Sequence, residues 1–199
     1  MGSGFVNADD WAAGRAALCA VGWCRLPVAI APELCEELAG APSEWHALPP
    51  TEGRHGVRQH GYSSYRRLDE ADVVVRQIAS EVAESITVAD LRLPPVPPFN
   101  EVMWTRYPAG KGFITKHRDP PGVGGVIAIT TLAGRATFRV WSDDPVEWQT
   151  GPGDVVLLRG YGWPTEGARC PMHEVEPPVE ERLIMTFRHN RGGAGAPYF

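Results

Sequence analysis

Lys116-His117-Arg118-Asp119-Pro120 sets a histidine and a carboxylate two residues apart. On an extended segment, residues i and i+2 project to the same side, about 7 Å apart along the backbone, so both side chains can lean onto one ion. A third ligand must then come from another strand. Among the remaining histidines His173 is best placed, downstream of Leu157-Leu158-Arg159 and just before the last apolar run. Two histidines and one carboxylate on one side of a cation leave the other side open, the geometry of non-haem Fe(II) oxygenases. H-x-D alone is a weak signal, since a surface His-Asp pair arises often by chance. A late histidine and an arginine-bearing final strand strengthen it. His46, His55 and His189 lack such partners and read as surface or structural residues.

An open iron site that activates O2 needs a reductant, and 2-oxoglutarate supplies it while chelating the metal through its keto-acid end. Its distal carboxylate then requires a buried cation. Alternation along Arg182-Leu183-Ile184-Met185-Thr186-Phe187-Arg188 puts Arg182, Ile184, Thr186 and Arg188 on one face. A guanidinium suits a planar, two-point grip on a carboxylate better than an ammonium does. The two arginines lie about 20 Å apart at Cα if the strand is regular, so both reach one small diacid only by leaning along it. For Arg188 in particular, a surface position at a strand end is the plain alternative. The expected cofactor set is Fe(II), 2-oxoglutarate and O2.

These residues need strands to carry them. Beyond Phe99 the chain consists of short runs rich in Val, Ile, Thr, Phe and Trp, divided by Gly and Pro turns. Candidate strands are Glu101–Tyr107, Val126–Leu132, Ala136–Trp141, Asp154–Leu158 and Arg182–Arg188, with Ala133-Gly134 as a hairpin turn. Three helices are expected before them: Asp9–Val21, Pro32–Leu38 with proline in its first turn, and Asp69–Ile86 with Val73, Val74, Ile78 and Val82 as its packing stripe. Leu91–Pro98 reads as a stiff proline-rich connector. The fold class is therefore α+β, a double-stranded β-helix (jelly roll) core with supporting N-terminal helices. Residues 1–50 are expected to form a helical extension packed on that core, and residues 51–199 the jelly-roll domain.

At 199 residues, 43% of them hydrophobic, the chain can bury one core without staples. Four cysteines match no zinc-ribbon spacing and read as reduced thiols, mostly buried. No apolar run is long enough to span a bilayer, and Met1-Gly2-Ser3-Gly4 has no signal-peptide character, so cytoplasm is the expected location. No obligate protein partner is evident. A net charge of −5 weighs against nucleic acid as a partner, because phosphate contacts favour a basic surface.

Several segments together resemble one family. Arg182-x-x-x-Thr186-Phe187-Arg188 closes the domain. Phe99 to Gly110 followed by His117-Arg118-Asp119 gives a strand, a turn and the H-x-D. Gly153-Asp154 through Gly160 precedes the distal His173, and Gln59-His60-Gly61-Tyr62 opens a lid-like stretch. In these respects the chain resembles the AlkB-type 2-oxoglutarate dioxygenases, which repair alkylated nucleic-acid bases or modify RNA, from roughly Arg54 to Asn190. The resemblance implies cosubstrate contacts from Tyr107 and from the position of Thr105, where the family usually has Asn, beside Arg182 and Arg188. It also implies that Arg58, His60, Tyr62 and Tyr65, with Trp163 before the distal histidine, face the substrate. Ile184 replaces a commonly polar residue. The acidic residue that well-known members carry two positions after the H-x-D aspartate is absent.

The expected reaction is oxidative dealkylation of an N-alkylated nucleobase in DNA or RNA. Hydroxylation of a small-molecule metabolite on the same scaffold is the alternative within the class. A jelly-roll binding module without turnover is the alternative outside it.

Overall fold

Residues 8–52, 56–87, 97–142, 144–162 and 170–195 are described by the computed structural model. In chain order, α1 (Ala8–Ala20), β1 (Trp23–Leu26) and α2 (Pro32–Ala39) come first, then β2 (His46–Ala47) and β3 (Thr51–Glu52). There follow β4 (Val57–His60), β5 (Tyr62–Arg67) and α3 (Val73–Thr87). The remainder is strand: β6 (Glu101–Tyr107), β7 (Phe113–His117), β8 (Val123–Ala133), β9 (Ala136–Trp141), β10 (Val146–Thr150), β11 (Val155–Arg159), β12 (Met172–Val175) and β13 (Arg182–Asn190). They form a seven-stranded sheet ordered β1-β11-β8-β13-β6-β5-β2 and a six-stranded sheet ordered β10-β9-β12-β7-β4-β3. The expected α+β jelly roll with N-terminal helices is the architecture found.

Two apolar layers result. Val102, Trp104, Ala128, Met185 and Phe187 of the larger sheet face the helices, against Leu18, Leu38, Val75, Ile78 and Val82. Their alternates, Tyr107, Ile127, Ile129 and Ile184, face the smaller sheet and meet Phe138, Val140 and Val175. This is the period-two rule of a strand buried on both faces. The Trp104 indole N–H donates to the Leu38 carbonyl at 3.0 Å, tying α2 to the larger sheet.

α3 begins later than its apolar pattern suggests. Leu68–Glu70 form a 3-10 turn in which Asp69 and Glu70 engage the Arg67 guanidinium, and Ala71 is extended. Of the expected stripe, Val73 is left 71% exposed at the helix start, Val74 is half-buried against the core, and Ile78 and Val82 are buried together with Val75. β8 runs three residues further back than expected, through Gly124 and Gly125, and β13 continues to Asn190. Residues 91–96 of the expected proline-rich connector lie outside the described residues.

The first fifty residues contribute more than helix. β1 pairs antiparallel with β11, Trp23 opposite Leu158 and Leu26 opposite Val155, and forms one edge of the larger sheet. All four cysteines are free, and Cys24, Cys35 and Cys170 are buried. Burial pushes these three thiols up to about 12, 11 and 12 respectively, which keeps them protonated and unreactive. No helix among the described residues is long and apolar enough to cross a membrane.

The β8–β9 turn passes against the start of β13. Gly134 has φ +70°, and a Cβ there would collide with the Glu181 carbonyl and the Arg182 Cα. Gly134→Ala is expected to lower the unfolding free energy by more than about 1 kcal/mol, measured by urea denaturation. An unchanged midpoint would mean that the turn relaxes freely.

Candidate metal centre

His117 ends β7 and His173 lies on the adjacent β12, directly opposite it in the antiparallel register. Their rings are 4.2 Å apart between centroids. Asp119, two residues past the strand, places Oδ2 3.6 Å from His173 Nε2. Among the described residues these three form the one cluster of potential metal ligands, their ligand atoms all within 4.8 Å of one another.

Backbone carbonyls orient both rings. His117 Nδ1 lies 2.9 Å from the Thr115 carbonyl and His173 Nδ1 3.3 Å from that of Pro171. A carbonyl only accepts, so each Nδ1 carries the proton and each Nε2 keeps its lone pair for a cation. Phe138 stacks on the His173 ring at 5.6 Å with 9° between planes, fixing it from behind. Burial, followed by the neighbouring His117, pulls His173 down to about 4. It is therefore neutral and able to ligate at physiological pH. Asp119 Oδ2 is buried and, among the described residues, has no hydrogen-bond partner, an unmet acceptor beside His173 Nε2. The chemistry of the donor set fits a divalent first-row cation with open positions.

Arg182, at the start of β13 opposite Tyr107 on β6, has no exposed surface. Its Nη2 donates to Thr131 Oγ1 at 3.1 Å, while Nε and Nη1 are buried without a hydrogen-bond partner among the described residues. Burial lowers its pKa to about 10, which still leaves it charged. An uncompensated buried guanidinium is costly, of the order of several kcal/mol, and calls for an anion. Tyr107 lies beside it, the guanidinium carbon 5.9 Å from the ring centroid. Desolvation pushes the Tyr107 phenol up to about 12, so its hydroxyl remains a donor. Arg182 and Asp119 both act on that phenol electrostatically, which links the arginine and the ligand cluster through one tyrosine. Thr105 Oγ1, on the same face of β6, is also buried and, among the described residues, unpartnered. Arg182, Tyr107 and Thr105 would suit a carboxylate, which could supply the acceptors that these buried donors lack.

Arg188 differs. It forms a buried ion pair with Glu101, Nε to Oε1 3.2 Å, and Glu101 also accepts from the Tyr65 hydroxyl at 3.1 Å. The charge of Arg188 is thus met within the chain. Glu101, not foreseen in the sequence, has 0% exposure and makes the difference between the two arginines.

The lid-like stretch divides by face. On β4, Gln59 is the buried residue, and Arg58 and His60 are exposed. Tyr62 packs on the helix side of the larger sheet, where Arg106 lies 5.0 Å from its ring and 4.9 Å from that of Trp45. Tyr65 alternates to the opposite face and reaches Glu101. Trp163 lies outside the described residues. Thr131 and Phe138 went unnoticed in the sequence; a threonine pair, Thr130-Thr131, inside an otherwise apolar strand was the available signal.

No family model matches the chain, and no curated protein matches it. Solved structures do. A prolyl-4-hydroxylase from Pseudomonas putida superposes with a TM-score of 0.66 at 22% identity, covering 91% of this chain and 99% of that one. A prolyl hydroxylase from Trichoplax adhaerens, in complex with a peptide fragment of a hypoxia inducible factor oxygen degradation domain, gives 0.61 at 13% identity, covering 93% and 91%. A 2OG-Fe(II) oxygenase family oxidoreductase from Burkholderia pseudomallei gives 0.58 at 17% identity, covering 96% and 95%. The fold is that of these oxygenases.

Asp119→Ala is expected to weaken Co(II) binding, followed by titration of the visible absorption band, by more than about 100-fold, beyond the range for outer-shell partners. Retention of wild-type affinity would remove Asp119 from the centre. Arg182→Met is expected to leave the ligand-free protein as stable or more stable, since it removes an unpaired buried charge. A large drop in melting temperature would mean that the charge is satisfied internally.

Proposed function

We propose that the chain is a 2-oxoglutarate-dependent non-haem iron dioxygenase. The observation that carries this reading is a His-Asp-His cluster and an unmatched buried guanidinium in one interior between two sheets. Fe(II) held by His117, Asp119 and His173 would supply open positions at which O2 and 2-oxoglutarate drive oxidation of a substrate C–H bond. Arg182 receives the distal carboxylate of the cosubstrate, with the Tyr107 and Thr105 hydroxyls as neutral donors beside it. The carbonyls of Thr115 and Pro171 hold both imidazoles in the ligating tautomer. Ile127, Ile129, Phe138 and Ile184 keep the interior dry, which strengthens each of these charge-dependent contacts.

For the substrate, hydroxylation of a carbon in a peptide or small molecule fits best. Three of the residues expected to grip a nucleobase, Arg58, His60 and Tyr62, lie on faces turned to solvent or to the helices, and the net charge is −5. Two of the similar structures are prolyl hydroxylases, one of them bound to a peptide. AlkB-like dealkylation of alkylated DNA or RNA is the second reading, favoured by Tyr65, an aromatic that reaches the buried Glu101–Arg188 pair.

The test is succinate release from protein supplied with Fe(II) and 2-oxoglutarate under air. Added proline-containing peptides or metabolite pools are expected to stimulate it, and methylated single-stranded oligonucleotides are not. Formaldehyde release with the oligonucleotides would establish the second reading. No succinate from iron-loaded protein would sink the oxygenase assignment.

A further inference from the structure

Arg182 ends a long flexible side chain, yet its guanidinium must already be in place when a small anion arrives. One hydroxyl restrains it, Thr131 Oγ1 at 3.1 Å. Thr131 itself is held unusually well. Its N–H donates to the Asp154 carbonyl and its carbonyl accepts from Gly153 N–H, both at 2.9 Å. A β-bulge adjoins it: Ile184 faces Thr131 while Leu183 faces Ala133, so Leu132 is the extra residue. Such a bulge re-aims side chains and is favoured next to functional sites.

The Asp154 carboxylate is fully engaged. Oδ1 accepts from Val28 N–H at 3.0 Å, and Oδ2 from Gly151 N–H at 3.0 Å and from Arg25 Nη2 at 2.9 Å. Ile30 N–H donates to the Gly153 carbonyl at 3.1 Å. Val28 has φ +47°, a left-handed conformation that a β-branched residue adopts only when its surroundings impose it. Gly153 must be glycine, with φ +87° and a would-be Cβ 2.5 Å from the Ile30 carbonyl oxygen. Asp154 is also the carboxylate whose field favours the charged form of Arg182.

We propose that Thr131 is the positioning residue for Arg182, and that the Gly151–Asp154 turn, stapled to Arg25, Val28 and Ile30, holds Thr131 in that role. The inference rests on the cosubstrate reading given above. Ordering the guanidinium during folding removes that cost from the binding step. It also gives the N-terminal segment a functional part: β1 and the loop after it brace the anion site from behind.

The experiment is isothermal titration of 2-oxoglutarate into the full chain loaded with Mn(II) under anaerobic conditions, so that no turnover occurs. Thr131→Val, which keeps shape and loses the hydroxyl, is expected to weaken binding about tenfold or more, as for loss of a hydrogen bond to a charged group. Thr131→Ser restores affinity to near that of the unsubstituted protein. Asp154→Asn, which keeps size and loses charge, weakens binding about threefold or more. Mn(II) affinity stays unchanged in all three, whereas general damage to the fold would lower it too. In Fe(II) turnover Thr131→Val raises the KM for 2-oxoglutarate with kcat little altered. Equal 2-oxoglutarate affinity in Thr131→Val and the unsubstituted protein overturns the proposal, as does a serine variant no better than valine. If the valine variant does not fold, Asp154→Asn decides: 2-oxoglutarate affinity equal to that of the unsubstituted protein overturns the proposal. Absence of 2-oxoglutarate binding by the unsubstituted protein overturns the cosubstrate reading, and this inference with it.

Discussion

A charged guanidinium sealed between two β-sheets, with two of its nitrogens facing no partner among the described residues, is a constraint that the surrounding structure must accommodate. A fold built for stability alone would place methionine or leucine there, since an apolar side chain of that volume carries no desolvation cost. The rest of the interior fits around the choice. A tyrosine covers one side of Arg182, a threonine hydroxyl fixes one nitrogen, and a turn wedges that threonine from behind. The two apolar layers provide the stability that lets this unfavourable group persist.

Much of the centre was legible because its rules are local. His117 and Asp119 are two residues apart, one ending β7 and the other just beyond it, and the period of two read from the sequence anticipates their convergence. His173 was recognisable from its place before the last strand, and the pairing of β7 with β12 sets it opposite His117. The core strands of the larger sheet were legible for the same reason, being long, apolar and alternating. The unforeseen strands are short or polar, such as His46–Ala47 or Tyr62–Arg67, and owe their extended form to the neighbours they pair with. Context overrides propensity most strongly in such edge segments.

The arginines mark the limit of what spacing conveys. Arg182 and Arg188 share a face and a motif, and nothing in the strand itself separates them. The difference lies on β6, where Tyr107 stands opposite one and Glu101 opposite the other. Thr131 was hidden for another reason, because a bulge breaks the simple register between β8 and β13. In the lid-like stretch, composition suggested a basic aromatic surface, but alternation sends Arg58 and His60 outward and leaves Gln59 inside. Residue type proposed the chemistry, and strand phase decided which side chains take part.

The ligand cluster and Arg182 carry one formal negative and one formal positive charge, Asp119 against the guanidinium, so the protein's own side chains are balanced there as a whole though not locally. A divalent cation alone would leave two positive charges in a dry space, and a dicarboxylate alone two negative ones. Only both together restore neutrality. Each partner therefore enters a site whose electrostatics the other improves, and by linkage the assistance is mutual. On the function proposed above, such an interior would take up cation and dicarboxylate together more readily than either one alone.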